Sequence, residues 1–461
     1  MTTPDAKTNG QAGSKLLSVL VFTLILSVMN ATMFNIALPS ISQQFQLTPS
    51  QVSWIVTGYI IVYAIGSVTY GKLADKYRLK DLLTFGLIFF AAGSIIGLAA
   101  QSFAMIMIGR ILQSVGASVI PATAMLIPVR YFPPEQRGRA LGTTSSGIAL
   151  GTAIGPIVSG FIISFASWRF LFCLSLLALL TLPFYRKYLD DAKGQAGKTD
   201  LLGGALLAGT ISLLLLAVTQ SSFLYLLAGL VVLILFVIRV RTADEPFIQP
   251  KLFLNKQYTW GIIIAFFSTG LSFGIPFITP LMLTGLNQMT PAAIGFVMFP
   301  GALAAAIMGR TGGKLVDEKG SAFLGYIALS SLLLSFFFLS VTAGLSPYLI
   351  ALFLLFGNIG QTFMQITISS LISRSLSREQ AGVGMGLMMM INFISGAAAT
   401  TFIGKVMDTG TADFTLNPLL VDNGAALYSN IFTVLTAAIV MVAFVFHFKF
   451  AAAEKAAVLR G

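Results

Sequence analysis

The chain has 461 residues, 56% hydrophobic and only 10% charged, with a formal net charge of +12 and a mean hydropathy of +0.89. An average soluble domain is roughly a quarter charged, so a soluble globular protein is excluded. The Lys and Arg residues lie scattered between apolar runs rather than gathered with aromatics in one groove, which argues against nucleic acid as a partner. Runs of roughly 20 apolar residues read as membrane-spanning helices. A β-barrel would show alternating strands of about ten residues instead.

Met1 to Ser14 is polar, with no cleavable-signal pattern. Spanning segments are then predicted near 16–38, 52–71, 82–101, 104–127, 139–163, 168–186, 201–219, 222–239, 259–283, 292–310, 322–341, 346–371, 382–404 and 429–448, fourteen in all. The joints Lys72–Lys80, Arg130–Arg139, Arg186–Lys198, Arg239–Lys256, Arg310–Lys319 and Arg374–Arg378 are basic. Those near Ser40–Ser50, Gln101–Ser102, Gly285–Pro291 and Gly344–Pro347 carry no charge. Lys and Arg are retained on the cytoplasmic side, so both termini are expected in the cytoplasm of a multi-pass plasma (cell) membrane protein. The loop from Lys405 to Ser429, with Asp408, Asp413 and Asp422, is then external.

Several segments carry chemistry, in chain order. Asn30 and Asn35 lie in the first. Gly71-Lys72-Leu73-Ala74-Asp75-Lys76 closes the second, and the same pattern returns as Gly313-Lys314-Leu315-Val316-Asp317 after the tenth. Gly permits close helix approach, and an Asp can cap a neighbouring helix N-terminus; Asp75 and Asp317 therefore suit a latch that breaks when that side opens. The repeat argues for two related six-helix halves about an axis along the membrane normal. The expected divisions are 1–200, 201–257 (two linker helices and a loop) and 258–461. Arg110 lies within the fourth segment, where a charge is costly and faces the bundle interior or a wet cavity. In the fifth, Gly151, Gly155 and Pro156 provide close helix contact and a bend. A cavity near the midplane has Asn30, Asn35, Gln113, Asn358, Gln361, Gln365 and Asn392 as polar candidates. Met385, Met388, Met389, Met390 and Phe393 are candidates for an adaptable apolar wall.

These motifs resemble the major facilitator superfamily in its fourteen-helix drug:proton antiporter branch. Gly71, Leu73, Asp75, Lys76 and Lys80 match its G-x-L-a-D-r-x-G-r-k loop, with Arg78 in place of Gly. Arg110 to Ala117 resembles R-x-x-q-G-x-g-a, with Ser114 for Gly. Gly151 to Gly160 resembles the exporter motif G-x-x-x-G-P-x-x-G-G, and Trp168-Arg169 is also similar. Ala381 to Gly386 and Leu427 to Asn430 look most like the Gram-positive tetracycline efflux proteins. The resemblance implies an all-α integral membrane fold, two six-helix bundles with two inserted helices, a proton-coupling role for Arg110 and protons as the counter-ion.

One departure bears on mechanism. The family places acids in helices one, five and thirteen; the matching positions here are Asn30 or Ala31, Thr152 and Gly396. No Asp or Glu lies deep in a predicted span, although proton relays in membranes normally use such residues. Neutral, zwitterionic or anionic amphiphiles are therefore expected in preference to multivalent cations. Proton coupling would have to use Asp75, Asp317, Arg110 or groups on the substrate.

With one cysteine, Cys173, and one histidine, His447, neither a disulfide, a Cys-based cluster nor a zinc site is expected. There is no G-x-x-x-x-G-K-[ST] string for ATP and no catalytic constellation, so no metal, cofactor or enzymatic activity is expected. The expected function is export of small amphiphilic compounds, of the multidrug or antibiotic efflux type, by alternating access in contact with membrane lipids. The alternative is a metabolite or lipid-type exporter, or an uncoupled facilitator, on the same fold.

Overall fold

The computed structural model describes residues 6–74, 76–132, 134–190, 200–376, 378–412 and 414–451. Within these, side chains are described except at 6–12, 122, 125, 129, 130, 134–139, 141, 142, 145, 146, 149, 317, 378–382 and 451. All regular elements among the described residues are helical: α1 (Ala6–Phe45), α2 (Pro49–Leu73), α3 (Leu79–Leu98), α4 (Phe103–Ala117), α5 (Val119–Tyr131), α6 (Pro134–Phe165), α7 (Leu171–Leu176), α8 (Leu182–Tyr188), α9 (Leu201–Gln220), α10 (Phe223–Thr242), α11 (Lys256–Gly285), α12 (Pro291–Thr342), α13 (Pro347–Ser375), α14 (Arg378–Met407) and α15 (Ala426–Phe446), with short 3₁₀ and π turns between some of them. This is an all-α, multi-pass membrane fold.

Thirteen stretches among the described residues are long and apolar enough to cross a membrane, and Leu150–Phe165 is a shorter apolar helix. Each predicted segment meets one of these. The differences are local. Segment 104–127 is two helices meeting at Ser118. Segment 168–186 is a 3₁₀ turn, α7, a second 3₁₀ turn and α8, which Pro183 helps to start. The predicted joint at 310–319 is mostly helical, because α12 runs to a break at Gly320 with φ 84° and ψ 166°. That backbone region is open only to glycine at little cost. The described apolar run of α6, Leu150–Phe165, falls on the predicted segment 139–163.

Described residues of the basic joints meet on one face of the bundle, hereafter the basic face: Lys72 Nζ donates to the Pro246 carbonyl, Asn255 Nδ2 to the Ser375 carbonyl and Asp190 N to the Tyr131 hydroxyl. Local chemistry sets the helix starts on the opposite face. Thr48-Pro49, Thr290-Pro291 and Ser346-Pro347 each put a hydroxyl cap before a proline. The hydroxyl accepts an orphan backbone N–H, and proline at the first helical position loses no bond. Thr48 and Gln51 complete a reciprocal capping box.

In one group of helices α1 packs on α6, α3 on α4 and α2 on α4 and α5. In the other, α11 packs on α13, α14 and α15, and α12 on α13 and α15. The groups meet along α2–α14 and α6–α12. The α9–α10 hairpin sits outside, with α9 against α2 and α14. Most large side chains of α10 are exposed, as lipid contact requires.

Asp200 anchors the hairpin on the basic face. It caps α9 through Gly203 N at 3.0 Å, accepts Phe247 N at 3.2 Å and pairs with Arg239 Nε at 2.9 Å. Burial raises its pKa, but these bonds outweigh that and hold the carboxyl below its usual value. A depressed folded pKa means the contribution is complete above the unfolded value near 3.9 and is lost as pH falls through the folded one. Asp200→Ala is expected to cost about 0.5–2 kcal/mol from the cap alone. Thermal unfolding at pH 7 and below pH 4 checks this: the gap between the two proteins narrows in acid, and a constant gap refutes the assignment.

Candidate functional site

Arg110 is the largest fully buried side chain, with no exposed surface. Its Nη1 donates to Asn30 Oδ1 at 2.7 Å and Gln113 Oε1 at 3.1 Å, and its Nε to the Ile55 carbonyl at 3.2 Å. The guanidinium lies between the Phe34 ring at 4.1 Å and the Tyr59 ring at 4.0 Å. Arg suits this place because its plane stacks while its edge donates, and a desolvated cation–π contact is worth about 2 kcal/mol. Around it, Asn30 Nδ2 donates to Ser175, Gln113 Nε2 to Ser94 Oγ at 2.8 Å, and Ser114 Oγ to the Tyr59 carbonyl at 2.5 Å. The network ties α1, α2, α3, α4 and α7 into one unit.

The structure therefore separates the predicted cavity residues. Asn30 and Gln113 are fully buried; they serve Arg110 and are not open to a cavity in this conformation, because the guanidinium needs acceptors and no acid supplies them. Asn35 is nearly buried and donates to Thr32 O one turn back. Asn392 accepts from Thr269 Oγ1 at 3.3 Å inside the second group. Asn358, Gln361 and Gln365 share α13: the first two are half-buried and Gln365 is exposed. Asn358 donates to Leu354 O. Met388 and Met390 are core residues and Met389 is exposed, whereas Met385 and Phe393 are half-buried.

The two groups of helices are sealed at the opposite face. A Cβ on Gly295 of α12 would lie 2.6 Å from the Pro156 carbonyl of α6. One on Gly160 would lie 3.0 Å from Ala292 Cα. Ala292 N donates to Ser164 Oγ at 3.1 Å. On the other seam, Asp408 Oδ1 accepts Ser50 N at 2.8 Å, where the α2 dipole favours an anion. Thr57 meets Thr400 at 2.9 Å and Thr401 at 3.3 Å. Lys405 Nζ, 4.0 Å from Asp408, donates to the Thr219 carbonyl, and Trp54 Nε1 donates to Thr219 Oγ1. Thr219 at the end of α9 thus bonds to both helices of this seam, α2 and α14.

The basic face differs. Gly71 at the end of α2, Gly313 in α12 and Gly386 early in α14 each have nothing within 4 Å of a would-be Cβ. Among the described residues, the close backbone contacts between α6 and α12 lie at the opposite face. The predicted helix-five residues divide accordingly: Gly151 and Gly155 pack on α1, the former with its would-be Cβ 2.8 Å from Ile25 O, while Pro156 reaches across to α12. The Asp75 residue and the Asp317 side chain lie outside the described residues.

A model of the major facilitator superfamily matches residues 20–400. The chain belongs to the major facilitator superfamily. Superfamily members are transporters, and this chain is a transporter and not an enzyme. It is 27% identical over 398 residues to the riboflavin transporter RibZ of Clostridioides difficile (strain 630), covering 84% of this chain and 87% of that one. It is 26% identical over 427 residues to the lincomycin resistance protein LmrB of Bacillus subtilis (strain 168), covering 87% of each. Among solved structures, a POT family transporter with a thioalcohol-conjugated peptide matches with TM-score 0.70 at 15% identity, over 94% of this chain and 96% of that one. A bacterial homolog of the human lysosomal transporter Spinster, inward-facing and unoccupied, matches with TM-score 0.65 at 15% identity over 98% of both. These likenesses show the fold.

The rings that stack on Arg110, Phe34 and Tyr59, and the hydroxyls behind its partners, Ser94 on Gln113 and Ser175 on Asn30, were not singled out from sequence, because aromatic and hydroxyl residues abound in every span. Asp408 and Lys405 had a legible signal, as charges three apart at a helix end, but only the packing shows that they bridge to α2 and α9.

Proposed function

We propose that this transporter exports small amphiphilic compounds from the cell by alternating access, with the basic face and both termini in the cytoplasm of the plasma membrane. The observation that carries the reading is the close backbone contact of the two helix groups at the face opposite the basic joints, Gly295 on Pro156 and Gly160 on Ala292. In this reading the conformation is inward-open. The divisions 1–200, 201–257 and 258–461 would be the moving halves and the linker. Gln361, Gln365 and Asn358, with Asn35, Met385 and Phe393, are proposed to line the cavity. Relatives named for riboflavin transport and lincomycin resistance support a small organic substrate. A wall without carboxylates suits neutral, zwitterionic or anionic solutes better than multivalent cations.

Proton antiport follows the family pattern, with Asp75 and Asp317 as carboxylates of the cytoplasmic gate. A second reading, a facilitator without proton coupling, is favoured by the pairing of Arg110 with the amide Asn30, which does not titrate. Growth inhibition by a panel of antibiotics and flavin-like compounds, in a pump-deficient host with and without the chain, identifies a substrate. Everted vesicles then separate the readings: substrate addition collapses an imposed pH gradient if transport is proton antiport and leaves it intact if not. Protection against no compound in the panel, together with no substrate uptake by the vesicles, would count against export.

A further inference from the structure

The Arg110 network leaves polar atoms unused. Arg110 Nη2, Tyr59 Oη and Ser27 Oγ are buried side-chain atoms without a hydrogen-bond partner. Their residues are 0%, 1% and 1% exposed. They come from three helices, α4, α2 and α1, and they converge. The Arg110 guanidinium carbon is 4.0 Å from the centre of the Tyr59 ring, and the Tyr59 and Tyr63 hydroxyls both lie within reach of Ser27 Oγ without well-aligned hydrogen-bond geometry. Buried polar atoms in folded proteins are nearly always partnered, so a group of this kind points to a ligand.

The ligand's chemistry follows from what the site offers. Arg110 only donates, and both hydroxyls can turn their protons from one another to an acceptor. A buried guanidinium is normally matched by an anion, yet α1, α2, α4, α5, α7 and α8 contain no Asp or Glu. Asn30, Gln113 and Ile55 O supply dipoles, not charge. We propose that Arg110 Nη2, Tyr59 Oη and Ser27 Oγ form a binding site for a small monovalent anion, a halide or a compact carboxylate, that acts as the counter-ion of Arg110. Entry runs past Tyr63, which is half-buried. Its ring stacks on Tyr59 with centroids 5.8 Å apart and meets Phe393 of α14 edge-on at 5.2 Å. The site thus lies within the first helix group but next to the seam between groups. It does not depend on the direction of transport or on the substrate.

The test uses the full chain purified in nanodiscs of neutral lipid, with thermal unfolding as the readout. Sodium chloride and sodium formate are titrated against sodium methanesulfonate at constant ionic strength. The unfolding midpoint is expected to rise saturably in chloride, formate or both. Response to chloride alone assigns the site to inorganic halide; response to formate as well admits carboxylates. Tyr59→Phe and Ser27→Ala each remove one donor and leave Arg110 in place. Each is expected to raise the half-saturating concentration about tenfold, equivalent to the 1.4 kcal/mol of a charge-assisted hydrogen bond. Bromide anomalous scattering from crystals gives a readout independent of stability, with a peak expected beside Arg110. Equal midpoints in all three salts with no bromide peak, or variants that respond like the parent, would overturn the proposal and leave the atoms to water. Failure of every export assay would leave this result untouched, so the two readings fail separately.

Discussion

Arg110→Ala is expected to abolish export while the protein stays in the membrane near its normal abundance. Two opposing effects explain why the fold survives. The substitution empties a packed position and strips Asn30, Gln113 and the Ile55 carbonyl of their donor. It also removes an intramembrane charge whose burial costs several kcal/mol. Function has no such offset, because the guanidinium holds α1 and α2 to α4 as one rigid unit. Loss of two charge-assisted bonds at about 1.5 kcal/mol each is roughly a hundredfold in rate if the unit must stay intact through the cycle. Arg110→Lys keeps the charge, but an ammonium cannot stack as a plane between Phe34 and Tyr59 while donating along its edge; it too should fall well below the parent. Transport assays paired with immunoblots of the membrane fraction read both quantities. Parental export by Arg110→Ala would remove this residue from the mechanism.

The second large effect lies at the sealed face. Gly295→Leu puts a side chain where even a Cβ would sit 2.6 Å from the Pro156 carbonyl. The obstruction is backbone, so it cannot be relieved by a rotamer change. Overpacking an interface costs about 1–3 kcal/mol, and the cost falls only on the conformation in which α6 and α12 touch. A shift of that size moves a two-state equilibrium by roughly five- to 150-fold. The protein should accumulate open to the opposite face and turn over slowly, with substrate affinity less affected. With Cys173 replaced by Ser and Gln361 by Cys, an impermeant maleimide reports the change. The parent labels from the basic face; Gly295→Leu should label more from the other. An unchanged pattern would mean that this contact is not the seal.

Much of the architecture was legible before any coordinates. The helix starts at Thr48-Pro49, Thr290-Pro291 and Ser346-Pro347 can be read from caps and prolines, since capping is a matter of neighbours in the chain. The joint at 310–319 and the segment 168–186 were less so. The helix runs past Arg310 through Gly312 and Gly313, residues that locally favour a turn, until Gly320, and the 3₁₀ turns around α7 interrupt an apolar run that carries no local stop signal. For the site, Arg110 stood out because an intramembrane charge is rare and expensive. Asn30 and Gln113 were legible as polar residues in apolar surroundings, but not as its partners. Polarity marks a residue that needs company without saying whose, and Ser27, Tyr59 and Ser175 carry no periodicity or spacing to set them apart.

The order of apolar and basic stretches alone determined that this is a many-pass helical membrane protein, because hydrocarbon admits no backbone that fails to bond itself. The repeated Gly-Lys-Leu-x-Asp string and the helix-five glycines determined its family likeness in the same way. Which face is shut, and which polar side chains are spent on Arg110 instead of facing a cavity, were decided only by tertiary structure. Both depend on the rotation and approach of helices far apart in sequence. In a bundle where nearly every surface is equally apolar, hydrophobic pattern cannot set those angles; they come from close backbone packing at small residues and from the need to satisfy a buried charge.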